Sequence, residues 1–202
     1  MNYAIFVEGI ESLKDFETLK EDIRIAASRA INKVVRDSRV AIRRRIQEEV
    51  NLPAAYLSDT AKRLYVSRFA KPGTLEARIA ARSRATSLAQ FAQTNGSRGA
   101  GVSLEVKPGH HTTIRRAFLL PLMAGKEGTD TKRNLGLAVR LRPGESLQNK
   151  RKMIRVARNL YLLYGPSVNQ VFLSEDGGGV AKDMSPKIQR DLEREFVRLM
   201  EL

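Results

Sequence analysis

Residues Glu11 to Asn51 read ESLKDFETLKEDIRIAASRAINKVVRDSRVAIRRRIQEEVN, and the spacing of their apolar members decides the fold. Leu13, Phe16, Leu19, Ile23, Ala27, Ile31, Val34, Ala41 or Ile42, Ile46 and Val50 recur in steps of three or four, with one gap near Ser38. No Pro or Gly interrupts them, so the pattern predicts one long helix with a single buried stripe. Unbroken, it would measure roughly 60 Å at 1.5 Å per residue, more than a domain of this size usually spans. The expectation therefore includes packing on another subunit or a bend, with a break at Asp37-Ser38 as the alternative.

Working outward, Tyr3 to Val7 suit a short strand that leads into the helix, with Ser12 and Asp15 as groups that cap or compensate its start. Arg43, Arg44 and Arg45 are consecutive and fan over about 200° of a helix surface, so they cannot all face one ligand. Pro53 suits the first turn of a second helix running to about Leu64. After it the period changes. Leu64 to Ala70 and Leu75 to Ala81 read as two strands around Lys71-Pro72-Gly73-Thr74, a hairpin in which Pro sets φ and Gly supplies a permissive position.

Ser87 to Phe91 predict a short helix, and Gln93 to Gly101 an exposed loop. Val102, Leu104 and Val106 alternate with polar residues up to Pro108-Gly109, and Arg116 to Leu122 is a second apolar run, so two further strands are expected. Ala124 to Asn134 reads as a basic, Gly-containing loop. Leu135 to Arg142 then alternates before Pro143-Gly144, which would place Arg140 and Arg142 on one strand face. A helix from about Ser185 to Leu202 closes the chain. Its Ile188, Leu192, Phe196 and Leu199 form one apolar stripe, and burying Leu192 and Phe196 should contribute about 1.5–3 kcal/mol each. The fold class that follows is α+β: a long N-terminal helix packed on a mostly antiparallel sheet, with a C-terminal helix. One domain is expected over 1–202, in three parts: a strand plus long helix (1–52), a basic strand-rich part (53–172), and a joint plus terminal helix (173–202).

Charge narrows the function. The chain carries 36 Lys+Arg against 22 Asp+Glu, a net +14. Residues 53–160 hold twenty-one of the bases and only six of the acids, so the middle owns the excess. Such a block favours a polyanion, above all nucleic acid, although a solvated basic face is the plainer reading. Five Tyr, seven Phe and no Trp leave few stacking platforms, which argues against base-by-base reading. Seven bases, Arg140, Arg142, Lys150, Arg151, Lys152, Arg155 and Arg158, fall within nineteen residues offset only by Glu145, and they are the candidate contacts to DNA or to an acidic protein face. Phosphate contacts of this kind give salt-dependent, sequence-independent affinity.

Catalytic signals are missing from the pattern. Without Cys, neither a disulfide scaffold nor a thiolate nucleophile or metal site is available. No apolar run is long enough to span a bilayer, and no secretory signal is seen, so a soluble intracellular protein without membrane contact is expected. His110-His111 reads as a loop pair, since neighbours in sequence diverge and no acid lies at ligand spacing. Gly177-Gly178-Gly179 lacks the Gly-Lys-Ser/Thr of a phosphate loop and reads as a flexible joint. No catalytic residue, metal or cofactor is expected.

The run Leu163-Tyr164-Gly165-Pro166-Ser167-Val168, the long N-terminal helix with Ala30-Ile31-Asn32-Lys33, the basic strand-rich middle and the helical end together resemble the prophage minor tail protein Z family of long-tailed phages. By itself the run reads as a turn closing a strand, with Gly165-Pro166 reversing the chain. The resemblance implies a structural, non-enzymatic tail-completion protein at the head-proximal end of the tail, in the virion after assembly in the bacterial host cytoplasm. Its implied partners are the tail terminator or tail tube protein, head connector proteins and double-stranded DNA without sequence specificity, within a homo-oligomeric ring. A stand-alone sequence-independent nucleic-acid-binding protein is the alternative that the same charge would serve.

Overall fold

Helix α1 (Glu21–Glu49) runs without interruption through Asp37 and Ser38, which removes the alternative of a break there. Its 29 residues measure about 43 Å. The structure, a computed structural model, describes residues 4–6 (backbone), 21–94, 101–122, 135–145, 153–173 and 179–201. The expected helical turns before Glu21 lie outside the described residues.

The gap in the apolar pattern has a physical filling. Ser38 and Arg39 occupy it, and both are buried in line with Ala27, Ala30, Val34, Val35, Ile42 and Ile46. Arg39 is only 5% exposed. Its Nε donates to the Leu64 carbonyl and an Nη to the Leu57 carbonyl, each at 3.1 Å, while Asp59 Oδ1 stands 2.6 Å from Nε. A charged side chain can sit on the buried stripe because its donors are satisfied there.

The chain is α+β and clusters into two compact units, whose limits do not follow the expected three parts. One comprises Met1–Ile46, Ala54–Ser83 and Val168–Leu202; the other comprises Gln47–Pro53 and Arg84–Ser167.

In the first unit, β1 (Ala4–Phe6), β2 (Leu64–Arg68) and β3 (Arg78–Ala81) form an antiparallel sheet in the order β1-β3-β2. The predicted turn joins β2 to β3, with Lys71 and Thr74 exchanging both backbone hydrogen bonds at 3.0 and 2.8 Å. Asn32 of α1 grips the hairpin by accepting from the Ala70 N–H at 2.8 Å and donating to its carbonyl at 2.9 Å. The helix expected after Pro53 is instead a single 3₁₀ turn, Ala54–Leu57. Ser58 ends it, its hydroxyl donating to the Ala55 carbonyl at 2.9 Å, and Lys62 adopts φ +47°, which no helix continues.

Helices α2 (Val168–Leu173) and α3 (Val180–Met200) complete this unit. Helix α3 begins five residues before the expected Ser185, because Val180 is buried and Asp183 meets Arg45 of α1 at 3.7 Å. Pro186 then sits inside the helix, where it lacks the N–H for one intrahelical bond. An apolar cavity of about 20 Å³ between Val35, Ile42, Ala77, Ile79, Phe172, Ala181 and Ile188 has room for one water at most and offers it no polar partner.

The second unit holds β4 (Thr86–Ser87), β5 (Val102–Lys107), β6 (His110–Ile114), β7 (Ala117–Pro121), β8 (Leu135–Arg140), β9 (Met153–Ala157) and β10 (Leu160–Gly165). β10 is central. β8 and then β7 lie on one side of its first four residues and β9 on the other, while β4 pairs with its last two. β5 and β6 form a separate hairpin that turns at Gly109, φ +77°. Val102, Leu104, Ala117, Leu137, Val139 and Leu163 make the core of this unit. The expected short helix is the 3₁₀ turn Leu88–Phe91, capped by Ser87, whose hydroxyl accepts from the Ala89 N–H.

Two further expectations change here. His110 and His111 lie on β6 rather than in a loop, both exposed, with His111 opposite Glu105. The following β-branched Thr112, Thr113 and Ile114 favour a strand. Gly179, the one member of the glycine triplet among the described residues, is a tight packing position rather than a loose joint. A Cβ there would lie 2.4 Å from the Leu173 carbonyl carbon and 2.7 Å from the Phe172 oxygen.

Candidate nucleic-acid interface

The register of the second unit's sheet decides which bases meet. Arg140 is the last residue of β8 and stands opposite Leu160, the first residue of β10. Leu160 also faces Ala157 of β9, so the Arg158-Asn159 turn between β9 and β10 lies at the same end. The Leu141 N–H donates to the Asn159 carbonyl at 2.9 Å and ties the two strand ends together. Asn159 takes φ +66°, a conformation in which Asn is enriched.

Arg142 departs from expectation. β8 stops at Arg140, so Arg142 does not share a strand face with it but opens the turn of residues 142–145. The Glu145 N–H donates to the Arg142 carbonyl at 3.1 Å, and Gly144 takes the positive φ of +82° that the turn requires. Glu145 Oε2 in turn accepts the Arg142 N–H at 2.8 Å.

Arg116, which the charge pattern of the sequence does not single out, is brought to the same place. Ala117 of β7 pairs with Val139 of β8, so the β6–β7 corner with Arg115 and Arg116 lies beside Arg140. An Nη of Arg116 donates to both Glu145 oxygens, at 2.9 and 3.1 Å. That bond, then the Arg142 N–H, hold the Glu145 carboxyl below its ordinary pKa of 4.5. The one described carboxylate at this end is thus engaged by Arg116. The exposed Arg115, Arg140, Arg142 and Arg158 remain as an arginine cluster along one end of the sheet.

The rest of the expected set separates. Arg155 pairs across β10 with Tyr161, one register step from Leu160, so alternation sends it to the sheet face opposite Arg140. Lys150, Arg151 and Lys152 lie outside the described residues. The second unit nevertheless carries fifteen Lys+Arg against six Asp+Glu, which concentrates the positive charge in it.

The family-like run has a structural role. Leu163, Tyr164 and Gly165 finish β10, Ser167 is buried, and Val168 starts α2, so the run carries the chain out of one compact unit and into the other. A Cβ on Gly165 would stand 2.9 Å from Leu88 Cδ2 and 3.3 Å from Phe91, so the 3₁₀ turn packs directly on its backbone.

On α3, the expected stripe is only partly covered. Ile188 is buried, whereas Leu192, Phe196 and Leu199 are half-buried, and the buried carboxylate of Glu195 lies among them. Among the described residues no cluster of three or more His, Asp or Glu is placed to hold a metal, and no helix is long and apolar enough to cross a membrane. Comparison of the chain with protein-family models, curated proteins and solved structures finds no match.

Proposed function

We propose that this protein is a structural, non-enzymatic neck or tail protein of a long-tailed phage. It completes the head-proximal end of the tail, helps join head to tail, and surrounds or positions the DNA end within a homo-oligomeric ring. The observation that carries the DNA part of this reading is the arginine cluster at one end of the second unit's sheet, with its one described carboxylate already taken by Arg116. Guanidiniums presented on strand ends and turns suit phosphate contact, and few exposed aromatics accompany them, which fits DNA that is held without being read. The tail part rests on the resemblance of the Leu163–Val168 run and its setting. The tail terminator or tube and the head connector are the protein partners, and the virion is the site of action.

The same cluster would serve a stand-alone sequence-independent nucleic-acid-binding protein, so the test has two arms. Replacing Arg140, Arg142 and Arg158 together with Gln should weaken duplex binding and reduce the slope of log K against log salt by about 0.9 for each phosphate no longer neutralised. An unchanged slope rejects the DNA interface. Particles assembled without the protein should accumulate as unjoined heads and tails, or as joined particles that fail to inject; normal infectious particles reject the neck assignment.

A further inference from the structure

Of the strand edges in the second unit, β9 alone presents exposed branched apolar side chains. Ile154 and Val156 are 54% and 51% exposed. Among the described residues β10 is its one strand partner, and none of them pairs with its outer edge. The other edges carry devices that discourage pairing: β7 ends at Pro121, β6 exposes only His and Thr over its first four residues, and β4 has two residues.

The register says what a further strand would have to carry. On one face, Phe118, Ala138, Leu162 and Ile154 stand opposite one another in a row across β7, β8, β10 and β9. The row is apolar throughout and stops, uncovered, at Ile154. On the other face the next row is Ala117, Val139, Tyr161 and Arg155, which ends in an exposed cation. A strand continuing both rows needs an apolar residue opposite Ile154 and, one position away, a carboxylate opposite Arg155.

We propose that the outer edge of β9 is a docking site for an extended segment of a partner protein in which apolar and acidic residues alternate, added to the sheet as a further strand. Main-chain hydrogen bonds supply part of the affinity in this mode, and the alternate side chains supply the selectivity. Val156 is the extra residue of a β-bulge, since Leu160 pairs with Ala157 and Tyr161 with Arg155. The regular edge is therefore short, and recognition depends on Ile154 and Arg155. Exposed Ile154 and Val156 favour a protein occupant over DNA here, because phosphate contact has no use for them. The site goes beyond the proposed DNA contacts and stands whether or not those are correct.

The probes are two N-acetylated, fluorescein-labelled hexapeptides, Val-Glu-Val-Glu-Val-Glu and Val-Lys-Val-Lys-Val-Lys, titrated with the full chain and read by anisotropy. The acidic peptide should bind at least tenfold more tightly. Ile154→Asp should weaken it at least tenfold, and methylation of alternate amide nitrogens of the peptide should abolish binding. Arg155→Glu should reverse the preference between the peptides, a result that an unfolded variant cannot produce. Equal affinity for both peptides, indifference to amide methylation, or self-association through β9 with no peptide binding would each overturn the proposal. Duplex binding measured on Ile154→Asp should match the parent chain, which keeps the outcome separate from that of the arginine-cluster variants.

Discussion

Lys33 of α1 and Glu195 of α3 meet at 2.8 Å, with the glutamate side chain 8% exposed and the lysine 56% exposed. Arg198 also donates to Glu195, at 2.7 Å. A second pair, Arg45 with Asp183, lies twelve positions further along α1 and twelve positions back along α3. The two helices therefore run antiparallel in a fixed register over about 18 Å. That register buries a carboxylate beside the apolar stripe of α3.

The Glu195 carboxyl is held at about 2, against an ordinary 4.5, first by its bond to Arg198 and then by Lys33. A depressed folded-state pKa stabilises the fold above the unfolded value, and that contribution is lost as pH falls through the folded one. Glu195→Gln should lower the melting temperature near neutral pH. The difference from the parent chain should shrink between pH 4.5 and 2 and vanish below that; a pH-independent difference would show that the charge is not the cause.

Arg39 should be the costliest polar position on α1. Arg39→Met leaves the carbonyls of Leu57 and Leu64 without this donor, and each buried unmade bond costs about 1–3 kcal/mol. Urea denaturation should show a drop in stability of about 2–5 kcal/mol. Arg39→Lys should recover only part of it, because a single ammonium cannot reproduce the spread of the guanidinium fork.

On α3 the order of hydrophobic costs departs from the stripe as the sequence presents it. Ile188 is buried against Val35 and Ile42, so Ile188→Ala should cost about 2–4 kcal/mol. Leu192→Ala and Phe196→Ala, at half-buried positions, should each cost about 1–2 kcal/mol in the isolated chain. A larger effect of the latter pair on incorporation into particles than on melting would mark the exposed side of α3 as an assembly contact.

Two glycines separate backbone crowding from side-chain crowding. Gly179→Ala drives a methyl into the main chain of Phe172 and Leu173, which cannot yield, and should cost about 3 kcal/mol or more. Gly165→Ala meets the ends of Leu88 and Phe91, which can turn aside, and should cost about 1 kcal/mol. Equal melting temperatures for the two variants would refute this distinction.

Much of the fold is legible in residue order. A helical period held over some thirty positions, as in α1, is too long to be met by chance. The Lys71–Thr74 turn, β5 and β8 are likewise marked by alternation or by Pro and Gly at their ends, and β7 by a short apolar run. β6 escapes such a reading because histidine and threonine carry no apolar alternation, and β9 because its outer residues are not buried and so follow no inside-outside rule.

The amino-acid sequence by itself determined the strongly periodic elements, α1 above all, and the sign of the charge, because periodicity and composition are local properties that no distant contact alters. The tertiary structure alone decided which charges act together. Arg116 joins Arg140, Arg142 and Arg158 only through the pairing of β7, β8, β9 and β10, and Arg39 is tolerated on a buried stripe only because two carbonyls from elsewhere in the chain converge on it. Strand register and hydrogen-bond satisfaction join residues far apart in sequence, and a one-residue change of register would have turned each strand arginine to the other face.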